Sequence, residues 1–112
     1  MKVIFFKTLR GEYPVLEDVK KIRHEKTKIK IFSRLEQIER NDFKNLISSG
    51  ILKKLHGYDL YESVVNFNRM FYRIFFEIQK STCLALHIFA KKSNSTPPRE
   101  IEIATNRKTT KK

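Results

Sequence analysis

Three successive β-prone stretches place a small set of chemically capable side chains on one surface. Alternate residues of a strand share a face. Within Met70 to Ile78, Phe71, Arg73, Phe75 and Glu77 therefore separate from Tyr72, Ile74, Phe76 and Ile78, the second set forming the core face. Within Thr82 to Ala90, the same alternation sends Leu84, Leu86, Ile88 and Ala90 to the core and Cys83, Ala85, His87, Phe89 and Lys91 outward. With Tyr61, Ser63 and Val65 inward in the preceding stretch, Glu62, Val64 and Asn66 join the outer side. One face thus gathers Glu62, Arg73, His87 and Lys91, interleaved with Phe71, Phe75 and Phe89. Cations hold phosphates, an imidazole moves a proton near neutral pH, and exposed rings stack on unpaired bases, so the combination suits RNA. It fits equally a solvated face of a basic protein, or a sheet covered by helices on both sides.

The elements that must position these groups read clearly. Lys2 to Phe6 is β-prone and short, and Gly11, Glu12 and Tyr13 form a turn before Pro14, which stands well at a first helical position. Val15, Leu16, Val19 and Ile22 then recur at helical spacing, with Glu17 and Asp18 complementing the helix dipole. A second helix spans about Glu25 to Arg40, with Ile31, Leu35 and Ile38 in one stripe, Ile29 and Phe32 beside it, and a Glu36–Arg40 pair at i,i+4. Its basic side, Lys26, Lys28, Lys30 and Arg34, reads most simply as a solvated face. Asn41 to Gly50 adds a ragged helical turn around Phe43, Leu46 and Ile47.

Leu60–Phe67, Met70–Ile78 and Thr82–Ala90 follow as a three-strand antiparallel meander joined by short turns. After a polar loop, Thr96 and Pro97 set up a capped helix over about Pro97 to Arg107, with Glu100 and Glu102 in its first turn. The fold class expected is α+β, one domain over residues 1–112, with a basic tail from about residue 106.

Composition narrows the function. The 112 residues carry 24 Lys plus Arg against 12 Asp plus Glu, a net charge of +12. Hydrophobic residues make up 40 %, with nine Phe, enough to close a core. No apolar run reaches the ~18 residues of a membrane span, and the opening apolar stretch is too short for a signal peptide, so a soluble, cytoplasmic protein is expected, with no membrane partner. The lone Cys83 excludes a disulfide scaffold and a Cys-rich metal module. So basic a domain attracts polyanions, which makes nucleic acid the natural partner. A DNA-binding module is disfavoured because the helical hairpin carries no recognition-helix signature. His24 and His56 have no partners in the sequence.

The order and spacing of Leu55-His56-Gly57, Leu60-Tyr61-Glu62, Tyr72-Arg73-Ile74, His87-Ile88-Phe89-Ala90-Lys91-Lys92, Thr96-Pro97 and Arg99-Glu100-Ile101-Glu102 resemble the phage-derived branch of HigB-type toxins in the RelE superfamily. The resemblance covers about half the chain. It implies a RelE-like fold and the toxin of a type II toxin-antitoxin system, an endoribonuclease that cleaves messenger RNA on the ribosome without metal or other cofactor. The implied partners are a cognate HigA-like helix-turn-helix antitoxin, messenger RNA on the ribosome, and ribosomal RNA.

Carried onto this sequence, the resemblance makes Arg73 the grip on the scissile phosphate and Lys91 and Lys92 sources of phosphate contact or transition-state charge. His87 becomes a proton donor or acceptor, and Glu62 either a base or a structural partner of Arg73. Arg69, Lys53, Lys54, Phe89 and Arg99 are the expected RNA contacts. One departure stands out: Tyr61-Glu62-Ser63-Val64 replaces the usual Tyr-Glu-Leu-Arg, so Val64 takes the place of an arginine on the functional face. Loss of one transition-state donor costs ~10² to 10³ in rate. Arg69 is a candidate substitute for it. The alternative reading is a weakened or inactive RNA- or ribosome-binding protein on the same scaffold.

Overall fold

The computed structural model describes residues 1–109. In chain order they form β1 (Lys2–Phe5), α1 (Pro14–Lys20), α2 (Glu25–Glu39), α3 (Phe43–Ser48), β2 (Lys53–Lys54), β3 (Tyr61–Phe67), β4 (Met70–Gln79), β5 (Thr82–Lys91) and α4 (Pro98–Arg107). The class is α+β, as expected. Local chemistry explains several boundaries. Pro14 opens α1, and Asp42 caps α3 by accepting a 2.8 Å bond from the Asn45 amide. Asn68 and Arg69, both at positive φ (55° and 64°), make the two-residue turn between β3 and β4.

The sheet runs β1-β5-β4-β3-β2, with β1 parallel to β5 and the other neighbours antiparallel. One face packs against the N-terminal helices through Val15, Val19, Ile31, Leu35, Ile38 and Leu46, which meet Val65, Tyr72, Ile74 and Phe76. On the opposite face lies α4, with Ile101 and Ala104 against Leu60, Phe75 and Leu86. No helix of the described residues is long and apolar enough to cross a membrane.

Simple alternation fails in one place. Phe75 pairs with His87 but Phe76 pairs with Ala85, so Leu86 is the extra residue of a β-bulge. Before the bulge, Cys83 and Ala85 face the main core while Leu84 and Leu86 face α4, the reverse of the expected assignment. Beyond it, Ile88 faces the main core and His87 shares a face with Phe75, as expected. The Arg107 guanidinium holds the bulge by donating to the Leu86 carbonyl at 2.8 Å while lying 5.3 Å over the Phe6 ring.

Smaller corrections concern the ends of elements. Lys53 and Lys54 form a two-residue strand that shows no alternation to read. The N-cap of α4 is Pro97 and no side chain caps it, so Thr96 does not serve there; of the two acids, Glu100 lies in the first turn and Glu102 does not. The expected basic tail begins inside α4, since Asn106 and Arg107 are helical, and residues 110–112 lie outside the described residues.

Candidate functional site

Arg73 occupies the middle of β4, between Val64 of β3 and Phe89 of β5. It is only 6 % exposed. A guanidinium at that depth needs acceptors. Nη1 donates to Glu62 Oε1 at 2.5 Å, from one residue pair along β3, and Nη2 donates to Asn94 Oδ1 in the loop between β5 and α4. Its buried Nε has no partner among the described residues. The charge is thus balanced by one carboxylate, with Asn94 adding a neutral acceptor.

Below it in the same layer, His87 pairs with Phe75 across β4 and β5 and is 7 % exposed. The first turn of α4 brings Glu100 Oε1 to 2.6 Å from His87 Nε2, while the buried Nδ1 has no partner among the described residues. The imidazole stacks on Phe89 at 5.8 Å and 20°, and Phe89 meets Phe75 at 5.5 Å. One carboxylate orients each candidate group: Glu62 for Arg73, Glu100 for His87.

Of the sequence-derived candidates, Glu62, Arg73, His87 and Phe89 share the face on which α4 rests. Lys91 pairs with Phe71 at the end of β5, and the exposed Arg69 lies in the turn beside that same end of the sheet, with Lys92 exposed just beyond the strand. Arg99 is exposed in the first turn of α4. Lys53 pairs with Glu62 and shares its face. Lys54 instead pairs with Tyr61, binds Asp59 at 3.5 Å and lies 5.2 Å over the Tyr61 ring, which puts it on the other side.

Two further corrections follow from the covering helix. Phe75 is fully buried under α4 and cannot receive a base, leaving the half-buried Phe89 and Phe71 as the accessible rings of the set. Glu77 is buried too, accepting from the Thr109 amide and hydroxyl at 2.8 and 2.9 Å. His24 is a local helix-start contact, 2.8 Å from Thr27 Oγ1.

Sequence reasoning missed Asn94 and the role of Glu100. Asn94 sits in a polar loop without periodicity, and Glu100 reads from sequence only as a first-turn acid; both contacts depend on how the loop and α4 fold back over the sheet. The described residues hold no cluster of three or more His, Cys, Asp or Glu side chains suited to a metal ion. A guanidinium, two carboxylates, an imidazole and nearby ammonium groups on one surface are the types of group that can bind a phosphate and transfer protons.

Residues 18–109 match the model of a protein family described as phage-derived protein Gp49-like (DUF891). No curated protein matches the chain.

Proposed function

Because the chain belongs to the phage-derived Gp49-like family, a toxin-like family related to RelE and HigB-type toxins, we propose that it is the HigB-like toxin of a type II toxin-antitoxin pair. On this reading it is an endoribonuclease that cuts messenger RNA on the ribosome and is restrained by a HigA-like helix-turn-helix antitoxin. The observation that carries the reading is the buried Arg73, whose fork is held by oxygens that a phosphate can replace.

In the proposed reaction the RNA 2′-hydroxyl oxygen attacks the adjacent phosphorus, its proton passes to a base, and the bond from phosphorus to the 5′ oxygen breaks. The leaving oxygen takes a proton, giving a 2′,3′-cyclic phosphate and a 5′-hydroxyl. Arg73 stabilises the extra negative charge, with Lys91 and Lys92 at the strand end adding to it. A phosphate that takes over the Arg73 fork releases Glu62 as a free carboxylate beside the substrate, so the exchange supplies a base. His87, oriented by Glu100, is the second proton-transfer group.

A second reading, a non-catalytic RNA- or ribosome-binding protein, is favoured by Val64, which stands directly across from Arg73 where an arginine would add a donor. Controlled expression in a bacterium, with primer extension on cellular messages, decides between them. The toxin reading expects growth arrest and cuts in translated RNA, both lost in a folded Arg73→Ala variant. Unimpaired growth with well-folded wild-type protein overturns it, and arrest without cuts supports the binding protein.

A further inference from the structure

Arg34 of α2 is partly buried and is anchored differently from Arg73, whose fork is held by a carboxylate. It reaches β3 on the face opposite Arg73, donating from Nη1 to Ser63 Oγ at 2.8 Å and to the Val64 carbonyl at 2.9 Å. Both acceptors are neutral, and no carboxylate pairs with it among the described residues. Burial lowers its pKa from the usual guanidinium value, as expected of a partly desolvated charge without a counter-ion.

The Val64 carbonyl needs that donor because β2 covers β3 only at Tyr61 and Glu62, leaving the strand as the sheet's edge from Ser63 onward. The cation therefore sits at the mouth of a groove of about 500 Å³ between α2 and this edge. Lys30 and Arg40 line the same groove, together with the polar side chains of Ser33, Gln37 and Asn41. Lys30 Nζ lies 5.5 Å over the Phe67 ring, so it too is held in place. At the helical rise, Lys30, Arg34 and Arg40 extend over about 15 Å.

We infer that this groove is a second nucleic-acid site, binding the phosphodiester backbone of RNA on the side of the sheet away from Arg73. The inference rests on the RNA reading of the function but uses none of the residues assigned to cleavage. The lining decides between an RNA backbone and an acidic peptide. A peptide interface takes its energy from apolar and aromatic anchors, and this groove offers Val65 alone. Phosphate contacts need only cations and amide or hydroxyl donors, which is what lines it. One acid is present, Glu36, whose 3.5 Å pair with Arg40 is exposed at both ends and weak enough to yield to a phosphate. Because the groove and Arg73 hold the same stretch of β3 from opposite faces, a strand running round the sheet edge connects the two.

The test uses the full chain and a fluorescent single-stranded RNA with 2′-O-methyl groups throughout, which cannot be cut. The variant is Lys30→Glu with Arg40→Glu; both positions are exposed, and circular dichroism checks the fold. The expected result is at least tenfold weaker binding and a salt slope shallower by about 1.4, the share of two phosphate contacts on a single strand. Unchanged affinity and slope in the folded variant overturn the inference while leaving the proposed function standing. Displacement of the RNA by polyglutamate at equal charge concentration also overturns it, in favour of an acidic peptide. If wild-type protein binds through the groove yet cuts no message in the expression experiment, the groove stands and the nuclease reading falls.

Discussion

Arg34 and Arg73 grip neighbouring residues of β3 from opposite faces of the sheet, Arg34 through Ser63 and Val64, Arg73 through Glu62. Their partners differ in kind. Removing Glu62 strands a buried cation, so Glu62→Leu is expected to cost about 3–5 kcal/mol, and Arg73→Met a comparable amount. The double variant is expected to lose clearly less than the sum of the two. Arg34→Met leaves only a hydroxyl and an edge carbonyl without their donor, and about 1 kcal/mol is expected. Urea unfolding of the four variants checks this order; additive losses at Glu62 and Arg73 would show that the pair is not coupled.

The contact between His87 and Glu100 fastens the first turn of α4 to β5. Glu100→Ala leaves both imidazole nitrogens buried without partners and is expected to cost about 1–3 kcal/mol, with faster hydrogen exchange at the Ala104 amide. Glu100→Gln keeps an acceptor at that position and is expected to recover most of the loss. Equal exchange in all three proteins would mean that packing of Ile101 and Ala104 alone holds the helix.

Arg69 sits at φ 64° in a two-residue turn, where glycine is the less strained occupant. Arg69→Gly is therefore expected to be neutral or to stabilise the fold by up to about 1 kcal/mol, visible as an unchanged or raised melting temperature. If the side chain contacts RNA, the same change makes the salt slope of ribosome association shallower by about one. Lys91→Ala and Lys92→Ala are each expected to do likewise, and an unchanged slope removes that residue from the binding surface.

Cys83 is fully buried against the main core, and burial pushes its thiol from 9.0 up to about 12, the amino terminus pulling slightly the other way. A raised acid favours its neutral form in the folded chain. The stability it contributes is therefore complete below pH 9 and falls as the unfolded thiol ionises above it, by ~1.4 kcal/mol per pH unit. The stability difference between wild type and Cys83→Ala is expected to stay constant to about pH 8.5 and shrink towards pH 11. A flat difference would mean that the native thiol titrates normally.

How much of this was legible beforehand depends on the range of the interaction. The helical stripe of Ile31, Leu35 and Ile38 and the turns at Asn68-Arg69 and Lys80 are local signals, and the elements they imply are present within a residue or two of the expected bounds. The shared face of Glu62, Arg73 and His87 was readable from period two because each stretch is regular where those residues lie. The bulge at Leu86 was not: one inserted residue in an apolar run leaves the composition unchanged while exchanging faces for Cys83, Leu84, Ala85 and Leu86. Nor was the burial of Phe75, since an outward ring in a strand looks the same whether a helix or solvent lies over it.

The parallel seam between β1 and β5 has a consequence for how the protein is made. Lys2 pairs with Thr82 and Phe5 with Ala85, so β1 waits until β5 has been synthesised before it finds a neighbour. Such long-separation pairing slows folding. Until that seam closes, Val3 and Phe5 lie open to the crowded interior of the cell, and an apolar strand in that condition is a target for chaperones and proteases. The closing of one parallel seam thus times when a nascent chain becomes a finished molecule, and shortening the wait, for instance by moving β1 behind β5 through circular permutation, should make folding faster without altering either face of the sheet.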